Sequence, residues 1–175
     1  MNETKSLTKW WWAWSPESLE KWLEEIEESG WHLQSVAMGG TRFRFKKDCS
    51  RHYRYCLDYQ NKVGSEYLRI YEDAGWERVY QGMGWHIWRM EYEGARPEIY
   101  TDWESRIEHN QRLMGMLTAV FAAQIPLLVV NMQNDDLSSP FRAVLSLMYL
   151  FLISLLGFGV WRLSTANKEL KNRQK

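Results

Sequence analysis

The sequence predicts an α+β soluble domain followed by a two-helix transmembrane hairpin. The domain is a duplicated strand-helix-strand-strand unit, with one mostly antiparallel sheet and two helices on one face. Three observations predict this: two long uncharged apolar runs, a Gly-Trp phrase that occurs twice, and matching apolar periodicities around each copy.

The apolar runs are Leu113 to Met132 and Ala143 to Trp161. A stretch of about 20 apolar residues crosses a bilayer as a helix. Pro126 lies within the first run and is expected to kink its helix, which neighbouring groups in a membrane tolerate. The connection between the runs, residues 133–142, is a short external loop with Arg142 as its cation. Arg106 and Arg112 precede the first span, and Arg162, Lys168, Lys171, Arg173 and Lys175 follow the second. Cations gather on the cytoplasmic side of short membrane loops. The expected location is therefore the cell membrane, multi-pass, with both termini and the basic tail 162–175 in the cytoplasm. No signal peptide is expected, because the first nine residues are polar and KWWWAW is too short for an apolar core segment. Whole-chain charge is balanced, with 22 basic and 22 acidic residues, and points to no partner.

The repeat lies in residues 1–100. Sliding the chain by 45 positions aligns about 10–47 with 55–92, and seven of the 38 pairs are identical. They are Leu23/Leu68, Glu27/Glu72, Gly30/Gly75, Trp31/Trp76, Met38/Met83, Gly39/Gly84 and Arg44/Arg89. In the first unit Ser15 is the expected N-cap and Pro16 the first helical residue. Leu19, Trp22, Leu23 and Ile26 form an apolar helical face, and Gly30 stops the helix. Strands are expected at 31–36 and 42–47 around a Gly39-Gly40 turn. In the second unit Tyr67, Leu68, Tyr71 and Ala74 make the helical face, with strands at about 76–81 and 85–92.

The same alignment sets KWWWAW, residues 9–14, over YRYCLDY, residues 53–59. The latter alternates Tyr53, Tyr55, Leu57 and Tyr59 with Arg54, Cys56 and Asp58, the pattern of a half-buried strand. Residues 10–14 are accordingly expected as a strand with Trp10, Trp12 and Trp14 toward the helices and Trp11 on the other face. Interfacial anchoring is the alternative, since Trp favours lipid headgroups. Between the domain and the first span, Thr101 and Glu104 form a capping-box pattern that predicts a juxtamembrane helix over 101–112. The spans are then 113–132 and 143–161.

No nucleophile motif, phosphate loop, dinucleotide fingerprint or zinc-protease helix is present. Cys49, His52 and Cys56 lack a fourth ligand at zinc spacing, so no metal and no cofactor are expected. RFRFKK interleaves aromatic and basic residues, but 16 basic against 19 acidic residues up to position 112 disfavours nucleic acid. Alternation places Trp11, Arg42, Arg44, Arg54, Cys56, Asp58, Trp85, Ile87, Arg89 and Glu91 on the sheet face away from the helices. Of these, Trp11, Arg44, Arg54, Asp58, Trp85 and Arg89 are the candidate binding residues: aromatics ringed by charge suit recognition.

The phrases EKWLEEIEESGWHL, YRYCLDY, EDAGWERV and EIYTDWESRIE, followed by two spans, resemble the bacterial membrane family called domain of unknown function 2812. Members are often encoded beside PadR-type regulators, and the family has no established catalytic residues. The resemblance implies a membrane protein in a regulated, stress-linked circuit. The expected function is a non-catalytic sensor or adaptor, not an enzyme, whose cytoplasmic domain binds a protein or a small-molecule ligand. The alternative is an accessory subunit or membrane-protecting factor acting through its helices. Expected partners are the lipid bilayer and a protein, or a second copy through the helix pair.

Overall fold

The computed structural model describes residues 3–60, 63–97, 103–134 and 138–172. It divides into two compact units, Met1–Thr101 and Asp102–Lys175. The first is the α+β domain and the second the helical hairpin.

The domain runs β1 (Thr4–Thr8), α1 (Glu17–Glu28), β2 (Trp31–Ala37), β3 (Arg42–Lys47), β4 (Tyr53–Tyr59), α2 (Ser65–Asp73), β5 (Glu77–Gly82) and β6 (Trp85–Glu91). Strand-helix-strand-strand therefore occurs twice. The expected single sheet is divided into two three-stranded antiparallel sheets, ordered β1-β3-β2 and β4-β6-β5. Both halves follow one plan in detail. The β2–β3 ladder is irregular between Leu33 and Ser35, and the β5–β6 ladder between Arg78 and Tyr80, each 45 positions on. Gly30 and Gly75 end the helices at φ +79° and +88°, a conformation that glycine reaches without Cβ strain.

The first strand departs from expectation. It lies at Thr4–Thr8, and residues 9–12 of KWWWAW form an irregular loop. The ladders show why. Ser6 faces Arg44 in one half and Tyr55 faces Arg89 in the other, so the first strands are 49 positions apart while the later elements are 45 apart. The first half holds four extra residues before its helix, and an ungapped alignment lays the tryptophan loop over a strand. Trp14 is buried, whereas Trp10 and Trp12 are 67% and 41% exposed. Trp11 is half-buried and donates Nε1–H to the Gly40 carbonyl at 2.8 Å. The expected Ser15 cap is also absent: Pro16 precedes the helix and no side chain caps it.

α1 buries Leu19 and Leu23 and sets Trp22 edge-on against Phe43 and Phe45, covering one face of the first sheet. The other face, carrying Arg42 and Arg44, is exposed. A second surface of α1 closes on the other half. Glu20 Oε1 accepts from Leu57 N–H at 2.9 Å and Glu24 Oε1 from Tyr55 N–H at 3.1 Å. These two N–H groups belong to β4, an edge strand whose outer backbone groups would otherwise lack a ladder partner. Sealing by a helix explains how all seven β4 residues are buried although the strand has one neighbour. Glu27 acts likewise on β2, accepting from Leu33 N–H at 3.0 Å, and also takes the Tyr55 hydroxyl at 2.5 Å.

In the second unit, α3 (Trp103–Gln133) and α4 (Ser139–Asn172) form an antiparallel hairpin. The stretch expected as a juxtamembrane helix and the first span are one helix, continuous through Pro126. Thr101 of the expected capping box, residues 135–137 of the loop and 173–175 of the tail lie outside the described residues. At 1.5 Å per residue the helices are about 46 and 51 Å long, against about 30 Å of bilayer hydrocarbon. Each contains a window long and apolar enough to cross a membrane, of which 11% and 6% is buried within the structure. Polar pairs brace the hairpin: Asn110 to Asn167 at 2.8 Å, and Asn131 to Ser146 at 3.0 Å beside the connection.

Candidate functional site

The register of β4 on β6 sorts the candidate residues. Tyr55 faces Arg89, Leu57 faces Ile87 and Tyr59 faces Trp85, whereas Cys56 faces Trp88 and Asp58 faces His86. Side chains opposite each other in a ladder share a face. Arg54 and Asp58 therefore lie on the opposite face from Trp85 and Arg89, and the six candidates do not form one surface. The sequence alternation was sound within each strand; its phase between strands was not readable.

Each candidate has a definite place. Arg54 is buried under α1, with Nη1 3.0 Å from Glu20 and 2.9 Å from Glu24, and it also donates to the Tyr55 carbonyl. Arg96 joins the cluster at Glu24, 3.1 Å away. Burial raises the Glu20 pKa, while Arg54 and the Leu57 N–H pull it down. Arg89 pairs with Glu77 at 2.8 Å, reaches the Leu33 carbonyl at 2.9 Å and lies over the Tyr53 ring. Trp85 is buried between Tyr59 and Trp11. Arg44 is exposed on the open face of the first sheet. Arg44 and Arg89 occupy equivalent positions in different sheets.

Asp58 belongs to a cluster that the sequence reading did not assemble. It is fully buried and accepts the Tyr67 hydroxyl at 2.8 Å and the Tyr71 hydroxyl at 3.3 Å, both from α2. Trp88 Nε1–H donates to the Tyr67 oxygen at 3.2 Å, and the Tyr71 ring stacks on Trp88 with centroids 4.6 Å apart. Arg78 also lies over the Trp88 ring, 5.9 Å from its centroid. Burial, and then the Asp58 charge, hold both tyrosines far above their usual range, so they stay protonated donors. His86 is buried opposite Asp58, and its Nδ1 has no hydrogen-bond partner among the described residues. Burial and Arg78 lower its pKa, outweighing Asp58 and a backbone hydrogen bond at Gln60.

α2 buries no residue of its own; it stands on the sheet through Tyr67, Leu68 and Tyr71 packed on Cys56, Trp76 and Trp88. The sequence signal for this site was the i, i+4 pair Tyr67 and Tyr71 above an acidic strand residue. Of the two cysteines, Cys56 is in this core and Cys49 is exposed.

A twofold α+β domain with a polar-aromatic cluster beneath one helix, joined to a bilayer-length helical hairpin, defines the class. The chain belongs to the family described as "Protein of unknown function (DUF2812)", which matches residues 15–122. No curated protein and no solved structure matches it.

Proposed function

We propose that the chain is a non-catalytic, membrane-anchored sensor or adaptor, with the hairpin spanning the cell membrane, both termini cytoplasmic and the α+β domain acting as the recognition module. The matching irregularities in the two halves support reading that domain as a duplication. The apolar outer surface of α3 and α4 supports membrane insertion, because a soluble core helix would bury such a stretch.

The observation that carries the recognition reading is the Asp58 cluster. A buried carboxylate with two tyrosine donors, an indole and an imidazole nitrogen that has no partner among the described residues is a costly way to seat a helix; apolar contacts would suffice. Carboxylate and aromatic faces together suit a small organic cation. Arg78 over Trp88 is the intramolecular precedent. Binding there would re-seat α2, the helix with least burial in the domain.

The test is thermal denaturation of the full chain in detergent with tetramethylammonium, choline and benzylamine. At least one cation should raise the wild-type melting temperature by several degrees and leave Asp58→Asn unaffected. Asn keeps the acceptor for the tyrosines and removes the charge. No shift with any cation, or an equal shift in the variant, removes the small-ligand reading. The second reading, an accessory subunit or membrane-protecting factor, is favoured by the Asn110–Asn167 and Asn131–Ser146 braces, which make the hairpin a defined surface. Proximity labelling in intact membranes separates the two: a transporter or envelope partner supports the second, a regulator the first.

A further inference from the structure

Among the described residues of the domain, five large apolar side chains are exposed: Trp10, Trp12, Met38, Ile70 and Met83. Two of them, Met38 and Met83, meet at one end, and Trp10 and Trp12 lie in the loop fastened beside that end. Met38 and Met83 occupy the turns between β2 and β3 and between β5 and β6, and a Cβ on Gly39 would lie 3.6 Å from Met83 Sδ, so the turns touch. The tryptophan loop is fastened alongside: Lys9 N–H donates to the Thr41 carbonyl at 2.9 Å, Trp11 to the Gly40 carbonyl, and Trp11 meets Trp85 edge-on at 4.7 Å. Trp10 and Trp12, in the same loop, are exposed, with rings 5.7 Å apart.

Two features mark this end as a working surface. Met38 and Met83 have φ of +51° and +52°, the left-handed region where glycine or asparagine is at ease and a long apolar side chain is strained. The fold tolerates that strain twice, and the exposed methionines are 69% and 83% accessible. The segments that build the end, residues 4–16, 29–47 and 78–90, contain no Asp or Glu and eight Lys or Arg. Arg42, at the base of the first turn, is exposed.

We infer that this end docks on an anionic lipid surface, with Trp10, Trp12, Met38 and Met83 entering the headgroup region and Arg42 meeting phosphate. Indole rings favour that depth, and segments that carry eight cations and no carboxylate are attracted to anionic lipid. A bilayer is always within reach, an argument that rests on the hairpin being membrane-inserted. The link between β6 and α3, residues 92–102, extends at most about 40 Å. The tryptophan loop then serves as the interfacial contact that its composition suggested as an alternative, and its extra residues have a use.

The experiment uses the full chain in a Cys49→Ser background, reconstituted into vesicles of phosphatidylcholine with a quarter phosphatidylglycerol, or of phosphatidylcholine alone. An environment-sensitive fluorophore is placed at Met83→Cys, and separately at Lys21→Cys on the exposed side of α1. A shallow nitroxide lipid should quench the Met83 label at least twofold more than the Lys21 label in the anionic vesicles, and less in the neutral ones. Equal quenching at the two sites overturns the inference. A blue-shifted Met83 label that lipid nitroxide does not quench also overturns it, since a protein then covers the end. Quenching that ignores lipid charge removes the anionic requirement. Alkaline extraction of the same vesicles reports on the hairpin separately: release of the chain defeats membrane insertion, whereas retention with an unquenched label defeats only the docking.

Discussion

The Tyr55 hydroxyl donates to Glu27 Oε1 across 2.5 Å, fixing the first strand of the second half to the helix of the first. Burial, and then the Glu27 charge, hold the Tyr55 pKa well above its usual value, so the phenol remains the donor. Glu27 also serves Leu33 N–H and His32 Nδ1. Removing it strands three partners, and removing Tyr55 O–H strands one acceptor that keeps two others. Glu27→Ala should therefore cost about 3–5 kcal/mol, for three donors left without their acceptor, and Tyr55→Phe about 1–2 kcal/mol. Urea unfolding of the full chain in detergent, followed by tryptophan fluorescence, measures both. Equal losses would show that Glu27 does no more than pair with the phenol.

The tryptophans of KWWWAW should separate sharply. Trp14 is buried, with Trp12 stacked on it at 4.9 Å, whereas Trp10 is largely exposed. Trp14→Ala should destabilise by roughly 3–5 kcal/mol and Trp10→Ala by less than about 0.5 kcal/mol. A melting temperature that falls as far for Trp10→Ala as for Trp14→Ala contradicts the loop geometry.

Gly30 offers a backbone test. Its φ is +79°, and a Cβ there would sit 2.9 Å from the Asp48 carbonyl oxygen. Gly30→Ala should cost more than about 2 kcal/mol, combining left-handed strain with a backbone clash. Gly64→Ala, at a helix N-cap with nothing within 4 Å, should cost about 1 kcal/mol or less. Thermal melts of the two variants side by side decide it.

His86 sets a pH dependence of known sign. Its folded pKa lies below the ordinary value of 6.5, so between the two the unfolded chain binds the extra proton and stability falls as pH falls. The surrounding groups are Asp58 from β4, Tyr67 from α2, Arg78 from β5 and Trp88 from its own strand. Comparing wild type with His86→Gln from pH 7.5 to 5 cancels the common carboxylate contributions. The wild-type melting temperature should drop more steeply below pH 6.5; parallel curves would mean that His86 does not titrate on unfolding.

The proposed topology predicts that a membrane-impermeant maleimide labels Leu137→Cys, but not Asn172→Cys, from outside intact cells in a Cys49→Ser background. The motive is seven Lys or Arg flanking the outer ends of the spans against Arg142 alone in the connection. Labelling at position 172 without lysis would invert the orientation.

Much of the fold was legible because its signals are local. Leu19, Trp22, Leu23 and Ile26 mark α1 at helical spacing, and Gly30 and Gly75 mark where the helices stop. The family resemblance was legible too, carried by phrases within the matched residues 15–122. What failed depends on pairing. Nothing in KWWWAW reveals that four residues are extra, since a tryptophan run satisfies strand periodicity as well as a loop tethered by Trp11. Nothing in YRYCLDY states which of its faces meets Trp88 rather than Ile87, and that phase separated Asp58 from Trp85. The Asp58 site stayed hidden because its parts come from β4, α2 and β6, and only the ladder brings them together.

The seal on β4 also bears on how the chain is made. Glu24 precedes the Tyr55 amide it covers by 31 positions, so α1 leaves the ribosome before the strand it protects. On a crowded polysome a bare strand edge invites a neighbouring nascent chain to pair with it. Here the cover is synthesised first, within the same polypeptide. The later half emerges after its cover has been synthesised, an order that favours pairing within the chain over pairing between copies.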